Sequence, residues 1–125
     1  MKHYSEPAKQ IPVVEETDVL VAGGGPAGIA AAIAAARQGC KTILVEQAGD
    51  VGGVATTGMM SHWTGETRGG LYEELLDRSR DDVSQGSRQT INPEKLKNVL
   101  LKMLSEAGVQ IRTYTFASDT ILEDN

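Results

Sequence analysis

Residues 18–46 read DVLVAGGGPAGIAAAIAAARQGCKTILVE and contain the strongest fold signal in the chain. Residues 18–22 form a short apolar run before three glycines, which predicts a strand buried on both faces. Residues 26–38 predict a helix, because a proline suits its first turn, alanine fills it and Gly39 ends it. Residues 41–46 predict a second buried strand. A strand, a helix and a strand within about thirty residues form the unit of a parallel sheet, so an α/β fold is expected.

A glycine motif joins the first strand to the helix. Gly23, Gly25 and Gly28 fit the pattern G-x-G-x-x-G, which is common by itself and is supported here by the strand before it and the helix after it. Gly23 permits a tight turn, Gly25 lets a pyrophosphate approach the backbone, and Gly28 lets the helix pack closely on the sheet. The helix N-terminus offers unpaired N–H groups to phosphates. A Rossmann-like dinucleotide-binding domain is therefore predicted, with three small residues extending the helix–sheet contact: Ala31, Ala32 and Ala35.

An acidic residue ends the second predicted strand. Glu46 lies 23 positions after Gly23, near the separation at which an acid accepts hydrogen bonds from the ribose hydroxyls of a dinucleotide. Gln47 follows it, so no neighbouring arginine favours a 2′-phosphate. This pattern disfavours NADP and leaves NAD and FAD as alternatives.

The rest of the chain predicts a long loop, two helices and two more strands. The loop at 47–70 is punctuated by glycines, and loops of this length in compact domains are usually functional or disordered. Asn92 and a following proline predict the start of the second helix, which Gly108 ends. The predicted bounds are 71–82 and 93–107 for the amphipathic helices, 85–90 for the polar link between them, and 109–114 and 120–122 for the strands.

Composition and charge exclude several classes of function. The chain has 125 residues, enough for one domain with a modest core. A net charge of −5 and the lack of a Lys/Arg block argue against a nucleic-acid or polybasic membrane partner. Residues 19–36 lack charge, but their glycine–proline centre disfavours a membrane span. The single Cys40 excludes an internal disulfide and a zinc ribbon, fits a cytoplasmic setting, and is interpreted as a small core residue. No metal-ligand cluster is apparent.

Taken together, these motifs resemble the FAD-dependent oxidoreductases of the glutathione-reductase-like superfamily. Within it, the chain is most similar to a branch related to the fumarate-reductase and glucose-inhibited-division types. The resemblance covers residues 16–123 and rests on the runs 18–28, 45–46, 52–58, 92–96 and 106–109.

The resemblance implies a flavoprotein with an FAD site built from four short segments. The pyrophosphate would be held by Gly23, Gly25, Pro26, Ala27 and Gly28, and the adenosine ribose by Glu46 with Gln47 beside it. The loop over the pyrophosphate and ribityl chain would be formed by Gly52, Gly53 and Val54. Adenine would face the backbone of Phe116 and Ala117.

Two departures from the family limit the activity that the resemblance implies. A redox cysteine pair follows the second Gly-Gly in the family's disulfide reductases, and residues 54–65 contain no cysteine, so that activity is not expected. The late FAD segment and the substrate domain of the family are also absent. We therefore expect residues 1–16 to be a lead-in and residues 17–125 to be the N-terminal part of an incomplete FAD-binding domain. Residues 122–125, which look like a strand entering a hairpin, fit that truncation.

Several other candidate residues are interpreted as structural or solvent-exposed and not as part of the site. His62 and Trp63 lie in the loop that would run toward the flavin, yet a solvated histidine and a packed tryptophan are the favoured interpretation. Arg68 is interpreted as a surface residue. Two acidic pairs are interpreted as solvated helix faces, namely Glu73-Glu74 and Asp81-Asp82.

Two alternatives to a flavoprotein oxidoreductase stay open at this point. One is an NAD-binding dehydrogenase domain, in which the second Gly-Gly is incidental. The other is a truncated, non-catalytic dinucleotide-binding module. A small-molecule substrate is expected without any sign of its identity, catalytic residues are not indicated, and a homo-oligomer stays open.

Overall fold

The computed structural model describes residues 1–60, 62–65, 67–80 and 89–122. Three short strands form a parallel sheet in which they lie side by side in chain order, with two α-helices between the second and third strands. This arrangement confirms the predicted α/β, Rossmann-like fold. The elements are β1 (Val19–Ala22), α1 (Pro26–Arg37), β2 (Thr42–Val45), a 3-10 helix at Gly53–Ala55, α2 (Gly70–Ser79), α3 (Pro93–Ala107) and β3 (Gln110–Arg112).

The two strands that flank α1 differ in burial. Every residue of β2 is buried, as predicted for a strand covered on both faces. In β1, Leu20 is 59% exposed and Ala22 is also exposed, so the same prediction is wrong for this strand. Leu20 and Ala22 are two positions apart and therefore lie on the same face of the sheet, and their exposure shows that the described residues leave this face of β1 open.

The hydrophobic core lies where α1 and α3 pack against each other and against β2. Asn92 caps α3 by accepting a hydrogen bond from the Lys95 N–H at 3.2 Å, and Gly108, with φ +83°, ends the helix. The helix buries one apolar face, as predicted for an amphipathic helix, and each fully buried side chain of this size contributes about 1.5–3 kcal/mol to folding. The main core side chains are Ile29, Ile33, Leu44, Leu96, Leu100, Met103 and Leu104.

Several predicted details differ from the structure. Residues 120–122 form no strand and are exposed, because no neighbouring strand lies beside them in the part of the chain that is described. In α1, Ala32 is buried and Ala35 is half-buried, as expected for residues that face the sheet. Ala31 is exposed, so the contact with the sheet that was predicted for it is wrong. The helix predicted at 71–82 ends at Ser79, and Asp81, Asp82, most of the 85–90 link and residues 123–125 lie outside the described residues.

A chain of ion pairs ties the three helices together at the surface. Arg37 of α1 donates two hydrogen bonds to Glu74 of α2, at 2.7 and 2.8 Å. Arg78 lies 2.7 Å from Glu74 and 2.6 Å from Glu106 of α3. The hydrogen bond from Arg37 lowers the pKa of Glu74 below its ordinary value. Glu74 is therefore a half-buried ion-pair partner and not the solvated residue that was predicted.

None of the helices in the described ranges is long and apolar enough to cross a membrane.

Candidate functional site

The turn between β1 and α1 exposes an uncapped helix end. Gly23 has φ +104°, a left-handed conformation that favours glycine, and its N–H donates to the Val45 carbonyl at 2.8 Å. Gly25 is the N-cap of α1, no side chain caps this end, and the first turn contains no acid. The first intrahelical bond runs from the Ile29 N–H to the Gly25 carbonyl, at 2.9 Å. The N–H groups of Ala27 and Gly28 therefore have no acceptor within the helix and can bind an anion.

The glycines of residues 23–28, here called the first glycine segment, differ in the space around them. A Cβ atom added to Gly23 or Gly25 would meet nothing within 4 Å. A Cβ atom on Gly28 would collide with the Gly23 carbonyl oxygen, and the Val21 side chain would be 3.4 Å away. The open space at Gly25 is what an approaching phosphate needs. The atom nearest to Gly28 belongs to the turn at Gly23 and not to a strand side chain. Glycine at position 28 therefore mainly lets the turn lie close to the helix, whereas close packing of the helix on the sheet was predicted.

Glu46 is a buried carboxylate that joins the two loops at this end of the sheet. It is 9% exposed, and its Oε2 accepts a hydrogen bond from the Gly24 N–H at 2.6 Å. Its Oε1 accepts one from the Ala48 N–H at 2.7 Å. A carboxylate has about four acceptor positions, so these bonds leave capacity for further donors. Gly24 was not predicted as a site residue, although the run of three consecutive glycines was a signal that its side-chain position is crowded. A Cβ atom there would lie 3.1 Å from Glu46 Oε2.

A groove of about 300 Å³ opens beside Glu46 and brings together five of the residues predicted to bind the cofactor. Two backbone bonds hold its far wall, from Thr115 N–H to the Glu46 carbonyl at 2.9 Å and from Tyr114 N–H to the Ala48 carbonyl at 3.1 Å. Tyr114 and Thr115 had no signal in the sequence, because both act through the backbone. The groove is lined by Ala22, Gly23, Val45, Glu46, Gln47, Thr115, Phe116 and Ala117.

Residues 49–58, here called the second glycine segment, lie directly against the first. The Gly52 N–H donates to the Gly24 carbonyl at 2.7 Å. A Cβ atom added to Gly53 would be 3.2 Å from the Gly25 Cα. Val54 is 53% exposed next to this contact. The structure therefore brings Gly52, Gly53 and Val54 beside the β1–α1 turn.

The second glycine segment is also packed against itself. A Cβ atom on Gly52 would collide with the Thr56 side chain, whose hydroxyl donates to the Val51 carbonyl at 2.6 Å. On Gly58 it would lie 2.6 Å from the Val54 Cα. Thr56, which is buried, was not predicted to matter, and the segment's glycines are required by its own fold.

The remaining polar candidates take structural positions. His62 is exposed and pairs with Thr90 through an isolated bridge, while Trp63 is half-buried and meets Tyr72 edge to face at 6.1 Å. Arg68 is exposed and Cys40 is half-buried, so Cys40 is not the core residue that was predicted. Within the described ranges, no group of three His, Cys, Asp or Glu side chains is placed to hold a metal ion.

A sequence profile of the family described as FAD dependent oxidoreductase matches residues 18–125. This chain belongs to that family. The resemblance drawn from the glycine motifs is thereby confirmed, and the family is one of flavoprotein oxidoreductases with a Rossmann-like fold.

Individual relatives agree with the family assignment. The chain is 35% identical over 89 residues to a fumarate reductase (cytochrome) of Shewanella frigidimarina, covering 69% of this chain and 15% of that protein. It is 36% identical over 106 residues to the tRNA uridine 5-carboxymethylaminomethyl modification enzyme MnmG of Aliarcobacter butzleri, covering 69% and 17%. The chain thus spans less than a fifth of the length of either relative.

The fold is also found in a solved structure. The crystal structure of Thermovibrio ammonificans THI4 superposes with a TM-score of 0.65 at 20% identity, covering 87% of this chain and 43% of that chain. At this identity the likeness concerns the fold alone.

Proposed function

We propose that this chain is the FAD-binding segment of a flavin-dependent oxidoreductase and that it holds the ADP half of FAD. The observation that carries the proposal is the uncapped N-terminus of α1. Its N-cap residue, Gly25, faces open space, and the groove lined by Glu46 also contains Gly23 of the same turn. A pyrophosphate and an adenosine are joined in the ADP half, and the two parts of this site suit them in turn.

The pyrophosphate would lie against the first glycine segment. The N–H groups of Ala27 and Gly28 would donate to its oxygens, with the positive end of the α1 dipole behind them. Pro26 has no N–H to lose at this position, and its fixed φ suits the first helical turn. Gly23 and Gly25 leave the space that the phosphates need, because no atom lies within 4 Å of an added Cβ.

The adenosine would occupy the groove beside Glu46. The acceptor positions that the Gly24 and Ala48 bonds leave on Glu46 suit ribose hydroxyls, with Gln47 at the same wall. The backbone at Phe116 and Ala117 would face adenine. The lining of the groove contains no arginine or lysine, so nothing in it favours a 2′-phosphate.

The second glycine segment would pass over the pyrophosphate and the ribityl chain. Gly52, Gly53 and Val54 lie beside the β1–α1 turn, which supports this assignment. Bound flavin would supply the redox chemistry, and this chain would bind and orient it. For the whole protein we propose electron transfer between flavin and a small-molecule substrate, in the cytoplasm. A nucleic-acid partner is not expected, on the net charge of −5.

The test is a titration of the full chain with FAD, followed by flavin fluorescence. ADP is expected to displace FAD, because the site holds the ADP half, whereas FMN, which lacks that half, is not. Gly25→Val should weaken FAD binding about 100-fold, or about 2.7 kcal/mol, because its side chain fills the phosphate space. Ala34→Val, at an exposed position of the same helix, is the matched control and should bind FAD normally.

Three results would contradict the proposal. The first is that the full chain does not bind FAD. The second is displacement of FAD by FMN as readily as by ADP. The third is normal FAD affinity in Gly25→Val. NAD shares the ADP half, so an affinity for NAD well above that for FAD would favour the dehydrogenase alternative.

A further inference from the structure

Tyr114 has a backbone conformation that a tyrosine rarely adopts. Its φ is +53°, in the left-handed region, and among the described residues Met59 is the other residue besides the glycines with a positive φ. A bulky side chain makes this conformation costly, so it persists only where the surrounding structure holds it. The neighbours of Tyr114 therefore supply what the residue's own preference opposes.

Two backbone hydrogen bonds hold Tyr114 in this conformation. The Tyr114 N–H donates to the Ala48 carbonyl at 3.1 Å, and the Thr115 N–H donates to the Glu46 carbonyl at 2.9 Å. Because β3 ends at Arg112, these bonds lie beyond the last strand residue. They join the chain that follows β3 to the chain that follows β2, at the point where the left-handed residue turns the backbone.

The side chain of Tyr114 contributes little to the core. It is 83% exposed, and its outer end meets the loop after β2, where a Cβ atom added to Gly49 would lie 2.8 Å from the ring Cζ. Substitution of the ring therefore removes little buried apolar area. Variants at this position can change the backbone turn without removing a core side chain.

The turn at Tyr114 places the far wall of the groove beside Glu46. That wall consists of Thr115, Phe116 and Ala117, the three residues directly after the turn. All three are exposed, so buried side chains do not hold the wall in position. The bond from Thr115 and the turn before it are therefore what keep the wall against Glu46.

We propose that Tyr114 is a positioning residue for the adenosine half of the dinucleotide and that it acts through its left-handed backbone, without touching the ligand. The inference rests on the proposed function, because the wall affects binding only where an adenosine occupies the groove. The pyrophosphate would lie against the first glycine segment, at the N-terminus of α1, which contains none of residues 114–117. Tyr114 thus sets the affinity for adenosine relative to the affinity for pyrophosphate.

Three variants separate the backbone of Tyr114 from its ring. Tyr114→Val places a β-branched side chain where φ is positive, which such residues adopt least readily, so the turn should be lost. Tyr114→Asn also removes the ring, but asparagine tolerates the left-handed region and should keep the wall in place. Thr113→Val is the matched control, because Thr113 is exposed and its φ is not positive.

Amide hydrogen exchange of the full chain without ligand measures the wall directly. In Tyr114→Val the Thr115 N–H should exchange at least about tenfold faster, because its bond to the Glu46 carbonyl is weakened. The Gly52 N–H, which donates to the Gly24 carbonyl at 2.7 Å, should keep its rate. In Tyr114→Asn and Thr113→Val both rates should stay within about threefold of those of the unaltered chain.

Calorimetric titration with ADP and with inorganic pyrophosphate measures the consequence for binding. Tyr114→Val should bind ADP about tenfold more weakly and pyrophosphate with unchanged affinity. Tyr114→Asn should bind ADP within about threefold of the unaltered chain. A general loss of stability would lower both affinities together, so their ratio separates positioning from folding.

This inference and the proposed function are overturned by different results. If the unaltered chain binds ADP and Tyr114→Val binds it equally well, Tyr114 is not a positioning residue and the proposed function stands. An equal loss of ADP affinity in Tyr114→Asn and Tyr114→Val would assign the effect to the ring and overturn the backbone role. If the unaltered chain does not bind ADP, the proposed function fails and the role of Tyr114 falls with it.

A second pair of variants decides if Tyr114→Val does not fold. Tyr114→Ala and Tyr114→Gly both lack the ring, but glycine adopts a positive φ much more readily than alanine. Tyr114→Gly should therefore bind ADP more tightly than Tyr114→Ala. An ADP affinity no higher in Tyr114→Gly than in Tyr114→Ala would overturn the backbone role.

Discussion

The two glycine segments touch each other, yet Gly25 in the first is needed for a different reason from Gly52 and Gly58 in the second. In the first, Gly23 and Gly25 face space in which an added Cβ meets nothing within 4 Å. In the second, an added Cβ on Gly52 or Gly58 meets the chain's own atoms, and on Gly58 the Val54 Cα is 2.6 Å away. A glycine such as Gly25, which has an ordinary φ and faces open space, suits a ligand, whereas a glycine enclosed by its own chain is required by folding. Glycine in a motif therefore does not by itself identify a ligand contact.

Gly28 lies in the first glycine segment but is enclosed by its own chain, as Gly24 also is, and it provides the sharpest test of this distinction. Its added Cβ would collide with the Gly23 carbonyl oxygen, which is backbone and cannot rotate away. Gly28→Ala should lower the free energy of unfolding by about 3 kcal/mol, at the upper end of overpacking costs. Gly25→Ala, three positions earlier with φ −72° and open space, should change it by less than about 1 kcal/mol.

Urea unfolding followed by circular dichroism measures both variants under the same conditions. Equal losses of stability in Gly28→Ala and Gly25→Ala would mean that the space around these glycines does not distinguish them. FAD affinity distinguishes the two positions in a second way. The Gly25→Val variant should lose FAD binding while it stays folded, whereas Gly28→Ala should lose stability before any direct effect on FAD binding.

The Glu46 side chain bonds to the backbone of the first glycine segment and to the backbone just before the second. It accepts from Gly24 in the first glycine segment at 2.6 Å and from Ala48, just before the second, at 2.7 Å. In Glu46→Gln the amide has one acceptor oxygen, so its NH₂ group faces a backbone donor. Leaving a buried donor without an acceptor should lower the free energy of unfolding by about 1–3 kcal/mol.

The same urea titration tests this expectation, with Glu16→Gln as the control, because Glu16 is exposed and lies before β1. Glu46→Gln with the stability of the control would show that the two bonds do not hold the loops. If FAD binding is lost in Glu46→Gln at full stability, Glu46 acts only on the ligand.

The local parts of the fold could be predicted from the sequence, and the parts that depend on distant neighbours could not. The β1–α1–β2 unit, the turn at Gly23 and the capped helix α3 follow from signals carried by adjacent residues. The exposure of Leu20 depends on whether another part of the molecule packs on its face of the sheet. The enclosure of Gly52 depends on Thr56, and the far wall of the groove depends on backbone bonds of residues 114–115. None of these carries a pattern, because backbone groups and empty space have no residue type.

The ion pairs of Arg37, Glu74 and Arg78 lie at the far end of α1 from both glycine segments and set the baseline for the comparison. The pKa of Glu74 is lowered, so its stabilisation is present above the ordinary carboxyl pKa and is lost as pH falls through the lowered one. Glu74→Gln should lower the free energy of unfolding at pH 7 by no more than about 1 kcal/mol, because solvent screens a surface pair. The difference from the unaltered chain should shrink in acid.

Urea unfolding at pH 7 and at acid pH measures that difference, and a gap that widens in acid would contradict the assigned sign. FAD affinity at pH 7 should not change in Glu74→Gln, since a small loss of stability at the far end of α1 leaves the helix N-terminus in place. This last point bears on the whole comparison. If a remote loss of less than about 1 kcal/mol weakened FAD binding as much as Gly25→Val does, binding would report general stability, and open space at a glycine would no longer mark a ligand.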